Sequence, residues 1–175
     1  MKIYQYQQVY KILRDDDLQP IEKALWFWSI LKKVSYEKAE AEVPLNKLTE
    51  FFKRKDIQPS PFFAWYRIGW RIYRVQLDAF KCTSGDINGA LALGVDEESL
   101  VSNIHEIMAT YTIRKDKSRE YHKKLSEKIK YNVDAGKALS IAGFFLTNYE
   151  GTREKLLKIL TKRMQKINQK LQAQT

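Results

Sequence analysis

Cysteine occurs once in this 175-residue chain, at Cys82, and histidine twice, at His105 and His122. One thiol excludes an internal disulfide framework, and one thiol with two imidazoles cannot complete a common structural zinc site. Proline is confined to Pro20, Pro44, Pro59 and Pro61, so nothing after Pro61 forbids long helices. Glycine is also scarce. Gly85, Gly89 and Gly94 lack the G-K-[ST] of a phosphate loop and follow no predicted strand, so they read as turn residues around one short helix. Long apolar runs are missing too: charged residues make up 30% of the chain and interrupt every hydrophobic stretch well short of a bilayer's width. No membrane partner is expected. Met1-Lys2-Ile3-Tyr4 opens directly into an amphipathic pattern without a signal-peptide core, which makes the cytoplasm the expected location.

Catalytic patterns are equally thin. His105-Glu106 does not extend to H-E-x-x-H, and Cys82 beside Lys81 has no histidine at local spacing to activate it. Asp15-Asp16-Asp17 occupies an interhelix turn where consecutive side chains diverge, which suits a helix terminator or cap better than a two-metal site. Glu37, Glu40 and Glu42 read as a solvated segment. The expectation is a non-enzyme with no catalytic residue, no metal ligand and no cofactor.

What the chain does have is a hydrophobic fraction of 44%, 13% aromatic residues and a net charge of +10. The first two values exclude a disordered chain, and the length suits a single helical domain over residues 1–175. The charge is unevenly placed: residues 1–110 hold 15 basic and 15 acidic side chains, whereas residues 111–175 hold 16 basic and 6 acidic. Segregation of this kind concentrates positive potential on one part of the surface, as a polyanion-binding protein requires. RNA or DNA is the expected partner.

Apolar spacing predicts an all-α fold, a compact bundle of about seven to nine helices. A first helix spans roughly Lys2 to Arg14, and a second runs from Pro20 to about Val34 with a middle apolar on all sides, which predicts a central place in the core. A third begins at Pro44. The stretch from Pro61 to about Lys81 reads as one aromatic helix on which Arg67, Arg71 and Arg74 form a narrow stripe with Asp78. Asp96 is the N-cap expected for a helix to Tyr111. Three further helices are predicted at Ser118 to Val133, Asp134 to Tyr149 and Thr152 to Leu171. Strand composition is limited to Tyr111-Thr112-Ile113 and short pieces near Val43.

Candidate nucleic-acid contacts follow from these faces. Arg119, Lys123 and Lys130 line the outer side of one helix, and Lys155, Lys158, Lys162 and Lys166 line another, with Arg114 and Lys115 on the approach. The last helix has no acidic residue after Glu154, unlike a solvated face of mixed sign. For Arg67, Arg71 and Arg74, two readings stay open: a phosphate-contacting groove, or internal ion pairs with Asp78, Glu97 or Glu98. Pro44 to Lys81 could be forced into a helix-turn-helix, but its second helix is too aromatic for a major groove.

Asp134-Ala135-Gly136-Lys137-Ala138-Leu139 through Arg153-Glu154-Lys155-Leu156-Leu157-Lys158-Ile159-Leu160 resembles the closing helices of some type I CRISPR large subunits. Small subunits of CRISPR effector complexes can derive from such helices. The resemblance implies a basic helical subunit, several copies of which stack along a guide-loaded backbone and contact target or displaced strand without catalysis. It carries over no individual residue. The expected function is a non-catalytic nucleic-acid-binding subunit that grips phosphates, within a ribonucleoprotein assembly containing other protein subunits. The competing expectations are a helix-turn-helix regulator and a helical protein–protein interaction subunit.

Overall fold

Four of the described helices start where a short polar side chain accepts a free N–H group of the first turn. Ser35 accepts from Lys38 N at 3.3 Å, Asp96 from Ser99 N at 2.7 Å and Ser118 from Tyr121 N at 3.2 Å. Thr83 and Asp86 cap each other reciprocally, each backbone N–H donating to the other's side chain at 3.1 Å. Pro20 fills the first helical position of its own helix, where a missing N–H costs nothing.

The computed structural model describes residues 1–44, 46–48, 60–78, 81–94, 96–113, 116 and 118–145. Its elements in chain order are α1 (Ile3–Leu13), α2 (Pro20–Lys32), α3 (Tyr36–Glu42), a helical turn at 46–48, β1 (Trp65–Ile68), β2 (Arg71–Arg74), α4 (Ser84–Leu93), α5 (Glu97–Thr110), α6 (Arg119–Asn132) and α7 (135–145). The architecture is a compact all-α bundle of about eight helical segments, with one β-hairpin inserted into it among the described residues.

The main core is built on α5, whose Ile104, Ile107 and Met108 are fully buried against Leu125 and Ile129 of α6 and Ala138, Ile141 and Ala142 of α7. Complete burial of each such large side chain stabilises the fold by about 1.5–3 kcal/mol. Small residues on α7 permit close approach, and Phe145 closes the layer by stacking on Tyr111 with ring centroids 3.7 Å apart. The N-terminus is stitched to the α6–α7 junction. Ile3 N donates to Val133 O, Ala135 N donates to Met1 O, and the terminal ammonium pairs with Asp134 at 3.1 Å.

Three expectations from the sequence need correction. α2 is not central: it contributes Ala24 and Leu25 to a smaller cluster with Ala39 and Leu48, while Ile21 and Trp26 are exposed. Its all-round apolarity reflects ring contacts at the surface, such as Trp26 against Tyr36 at 4.8 Å and Lys32 over Trp28 at 5.2 Å. Gly85 and Gly89 lie inside α4 instead of in turns, because the Thr83–Asp86 cap starts the helix ahead of them; Gly94 does end it.

The third correction concerns the aromatic stretch after Pro61, which is a hairpin and not a helix. β1 and β2 pair antiparallel, with Trp65 opposite Arg74, Tyr66 opposite Tyr73, Arg67 opposite Ile72 and Ile68 opposite Arg71. Gly69 and Trp70 form the two-residue connection, and Gly69 takes the left-handed φ of 58° that the first position of such a turn demands. A helix would have placed this glycine in its interior at a cost of about 1 kcal/mol, and would have set β-branched and aromatic residues where their side chains lose freedom. A hairpin here also removes the reading helix that a helix-turn-helix over Pro44 to Lys81 would use. The expected Tyr111–Ile113 extended piece is present, and it extends the hairpin: Ile113 N donates to Arg74 O at 2.8 Å and Gln76 N to Tyr111 O at 2.7 Å.

Candidate nucleic-acid interface

In a strand, side chains alternate faces, and residues paired across an antiparallel ladder share one. Tyr66, Ile68 and Tyr73 therefore point inward. Tyr66 is 1% exposed and stacks on Tyr73 at 5.3 Å. Its hydroxyl lies 2.7 Å from Thr112 Oγ1, and Thr112 in turn donates to Met108 O at 2.8 Å, so Tyr66 supplies the proton of the first bond. Burial pushes the Tyr66 phenol far above its ordinary range, more than the Thr112 bond lowers it. Away from Arg71 at the tip, the inner face is an uncharged anchor.

The outer face carries Trp65, Arg67, Ile72 and Arg74, all exposed, with Trp65 at 45% and Ile72 at 66%. Trp70, at the turn, is 93% exposed. Arg67 donates from Nε to Gly69 O at 2.7 Å, and its guanidinium carbon lies 5.4 Å from the Trp70 ring centroid. Further along, Phe63 and Trp65 are 6.1 Å apart, and Lys137 Nζ sits 5.4 Å and 5.0 Å from their ring centroids. Phe62 stacks on Phe144 of α7 at 4.4 Å, and Ser60 N donates to Gly136 O, which ties the approach of the hairpin to the start of α7. The result is a surface on which exposed aromatic rings lie beside cations, Arg67 exposed and Lys137 half-buried. A shallow recess on it is lined by Ala64, Trp65, Ile72 and Arg74.

The helical stripe expected of the three arginines does not exist in this geometry. Arg67 and Arg74 share the outer face, while Arg71 faces the other way, opposite Ile68, at the exposed tip. The internal ion-pair reading finds no support among the described residues: Glu97 pairs with Arg14 at 2.8 Å and Asp78 with Lys81 at 3.9 Å. No ion pair of Arg67, Arg71, Arg74 or Lys137 with a carboxylate occurs there.

Arg119, Lys123 and Lys130 do share one side of α6, as predicted, and the first two are exposed. Lys130 is half-buried, with Nζ 5.9 Å from the Tyr131 ring centroid. Its charge also helps hold His105 at a pKa of about 4, chiefly an effect of burial. Arg114, Lys115, Lys155, Lys158, Lys162 and Lys166 lie outside the described residues, as does the predicted final helix.

Other candidates resolve into structural roles. Gln7 Nε2 donates to Val101 O at 3.0 Å and Ser102 O at 2.8 Å, and lies 3.2 Å from His105 Nδ1. His122 Nε2 lies 3.1 Å from Thr110 Oγ1. Cys82 is half-buried, and burial raises its thiol pKa away from reactivity. Asp15 accepts from Asp17 N at 3.1 Å, the local turn its position suggests. Among the described residues no three His, Cys, Asp or Glu side chains group as metal ligands, and no helix is long and apolar enough to cross a membrane.

Sequence reasoning missed Lys137, Phe63 and the outward pairing of Trp65 with Arg74. The signal was present: Gly69-Trp70 divides Trp65-Tyr66-Arg67-Ile68 from Arg71-Ile72-Tyr73-Arg74, two aromatic and β-branched runs flanking a two-residue turn. No family model, no curated protein and no solved structure matches the chain.

Proposed function

We propose that this protein is a non-catalytic nucleic-acid-binding subunit that holds its partner mainly through backbone phosphates. The supporting observation is the outer hairpin face, where Arg67 and Arg74 stand exposed and without carboxylate partners among the described residues, beside Trp65 and Ile72. Exposed apolar side chains clustered on one face favour an interaction surface, and the cations around them favour a polyanion over a neutral partner. The excess of basic over acidic residues beyond residue 110 favours the same class of partner. Membership of a larger ribonucleoprotein, as the likeness to CRISPR small subunits implies, is part of the proposal. Lysines outnumber arginines in the basic third, so contacts there position the nucleic acid as point charges and do not read its sequence.

The test is binding of the whole chain to random oligonucleotides across a range of salt concentrations. Log K falling linearly and steeply with log salt is the expected result. Absence of binding at low salt overturns the proposal in favour of a protein-interaction subunit.

A further inference from the structure

Trp70 occupies the second position of a two-residue turn, where its negative φ would suit almost any residue. A large apolar ring is an expensive choice at a site 93% open to solvent. The ring nevertheless has a cation beside it. Arg67 donates to the Gly69 carbonyl at 2.7 Å and its guanidinium carbon lies 5.4 Å from the Trp70 centroid, so one side chain spans the turn and reaches the indole. Trp65, two residues before Arg67 on the same face, repeats the combination with Lys137 at 5.0 Å. Each indole of the hairpin is thus accompanied by a cation, and same-face neighbours along a strand are spaced at roughly 6.5–7 Å.

From this geometry, and resting on the nucleic-acid reading above, we infer that the outer hairpin face is a base-stacking platform for single-stranded nucleic acid. A duplex keeps the flat faces of its bases stacked inside and offers this surface only phosphates and groove edges. An unpaired strand offers both phosphates and free base planes, the two features that Arg67, Arg74 and Lys137 on one hand and Trp65, Trp70 and Phe63 on the other are suited to meet. Stacking is indifferent to base identity, because every base has such a plane.

The experiment compares wild type with the double variant Trp65→Ala/Trp70→Ala, using fluorescence anisotropy of a labelled oligothymidylate and of its blunt duplex with oligoadenylate. Both rings are exposed, so the variant retains the fold, checked by its circular dichroism and melting temperature. Wild type is expected to bind the single strand more tightly than the duplex. The double variant is expected to lose single-strand affinity by on the order of tenfold per ring while duplex affinity stays within about twofold. Equal wild-type affinity for the two forms, together with an unchanged single-strand affinity in the variant, overturns the stacking platform but leaves salt-sensitive phosphate binding standing. Failure of wild type to bind either form overturns both. Self-association of wild type that the variant abolishes, with no oligonucleotide bound, likewise overturns the inference and assigns the face to a second copy of the chain.

Discussion

Arg67 and Trp70 are joined through the turn that separates them: the guanidinium Nε donates to Gly69 O at 2.7 Å, and its carbon lies 5.4 Å from the indole centroid. The hairpin tip therefore presents a cation and an aromatic plane side by side.

The turn itself depends on Gly69. A Cβ added there meets no atom within 4 Å, so the penalty for Gly69→Ala is conformational and not steric crowding. At φ 58° the expected loss is about 1–2 kcal/mol. Chemical denaturation of the variant against wild type checks this, with Gly69→Asn falling between the two because asparagine tolerates left-handed φ.

The inner face offers an asymmetric pair. Tyr66→Phe removes a donor but leaves the Thr112 hydroxyl bonded to Met108 O, and a cost of about 1 kcal/mol is expected. Thr112→Val leaves the buried Tyr66 hydroxyl without its acceptor and should cost more, about 1–3 kcal/mol. Urea unfolding of the two single variants gives the order directly, and equal losses would show that the Tyr66 proton goes elsewhere.

Much of the helical frame was legible because its signals are local and mutually consistent. Asp96 caps the helix it was expected to cap, and the helix predicted from Ser118 begins there, with Leu125 and Ile129 on its buried face. The hairpin was not legible at a helical period. At 100° per residue Arg67, Arg71 and Arg74 align, whereas the register across Gly69-Trp70 separates Arg71 from the other two. Lys137 was invisible for another reason: it reaches Phe63 and Trp65 only because Ser60 and Gly136 bring two distant segments together. The centrality expected of α2 failed because exposed aromatic residues that pack against one another look, in sequence, like core.

His105 should make stability pH-dependent. Burial, with a smaller contribution from Lys130 and an opposing one from Glu106, lowers its pKa to about 4 in the fold from an ordinary 6.5. A proton on Nδ1 would also face the Gln7 amide nitrogen, 3.2 Å away and itself a donor. Between these values the unfolded chain takes up a proton that the fold refuses. The His105 contribution is therefore full above pH 6.5 and is lost as pH falls to about 4, a change on the order of 2 kcal/mol. Unfolding free energies measured at steps across this window should decline in wild type and flatten in His105→Gln.

The lysines beyond residue 150 are expected to contribute to nucleic-acid binding. Charge reversal at Lys155, Lys162 and Lys166 together should weaken oligonucleotide binding severalfold or more without lowering the melting temperature. Unchanged affinity in that triple variant would remove these residues from the interface.

The most direct test of the central claim is the salt dependence of single-strand binding in Arg67→Gln/Arg74→Gln beside wild type. Two lost phosphate contacts should lower the magnitude of the slope of log K against log salt by about 1.4, with a matching fall in affinity at low salt. An identical slope and affinity in the double variant would contradict the account, because the outer hairpin face would then hold no phosphate.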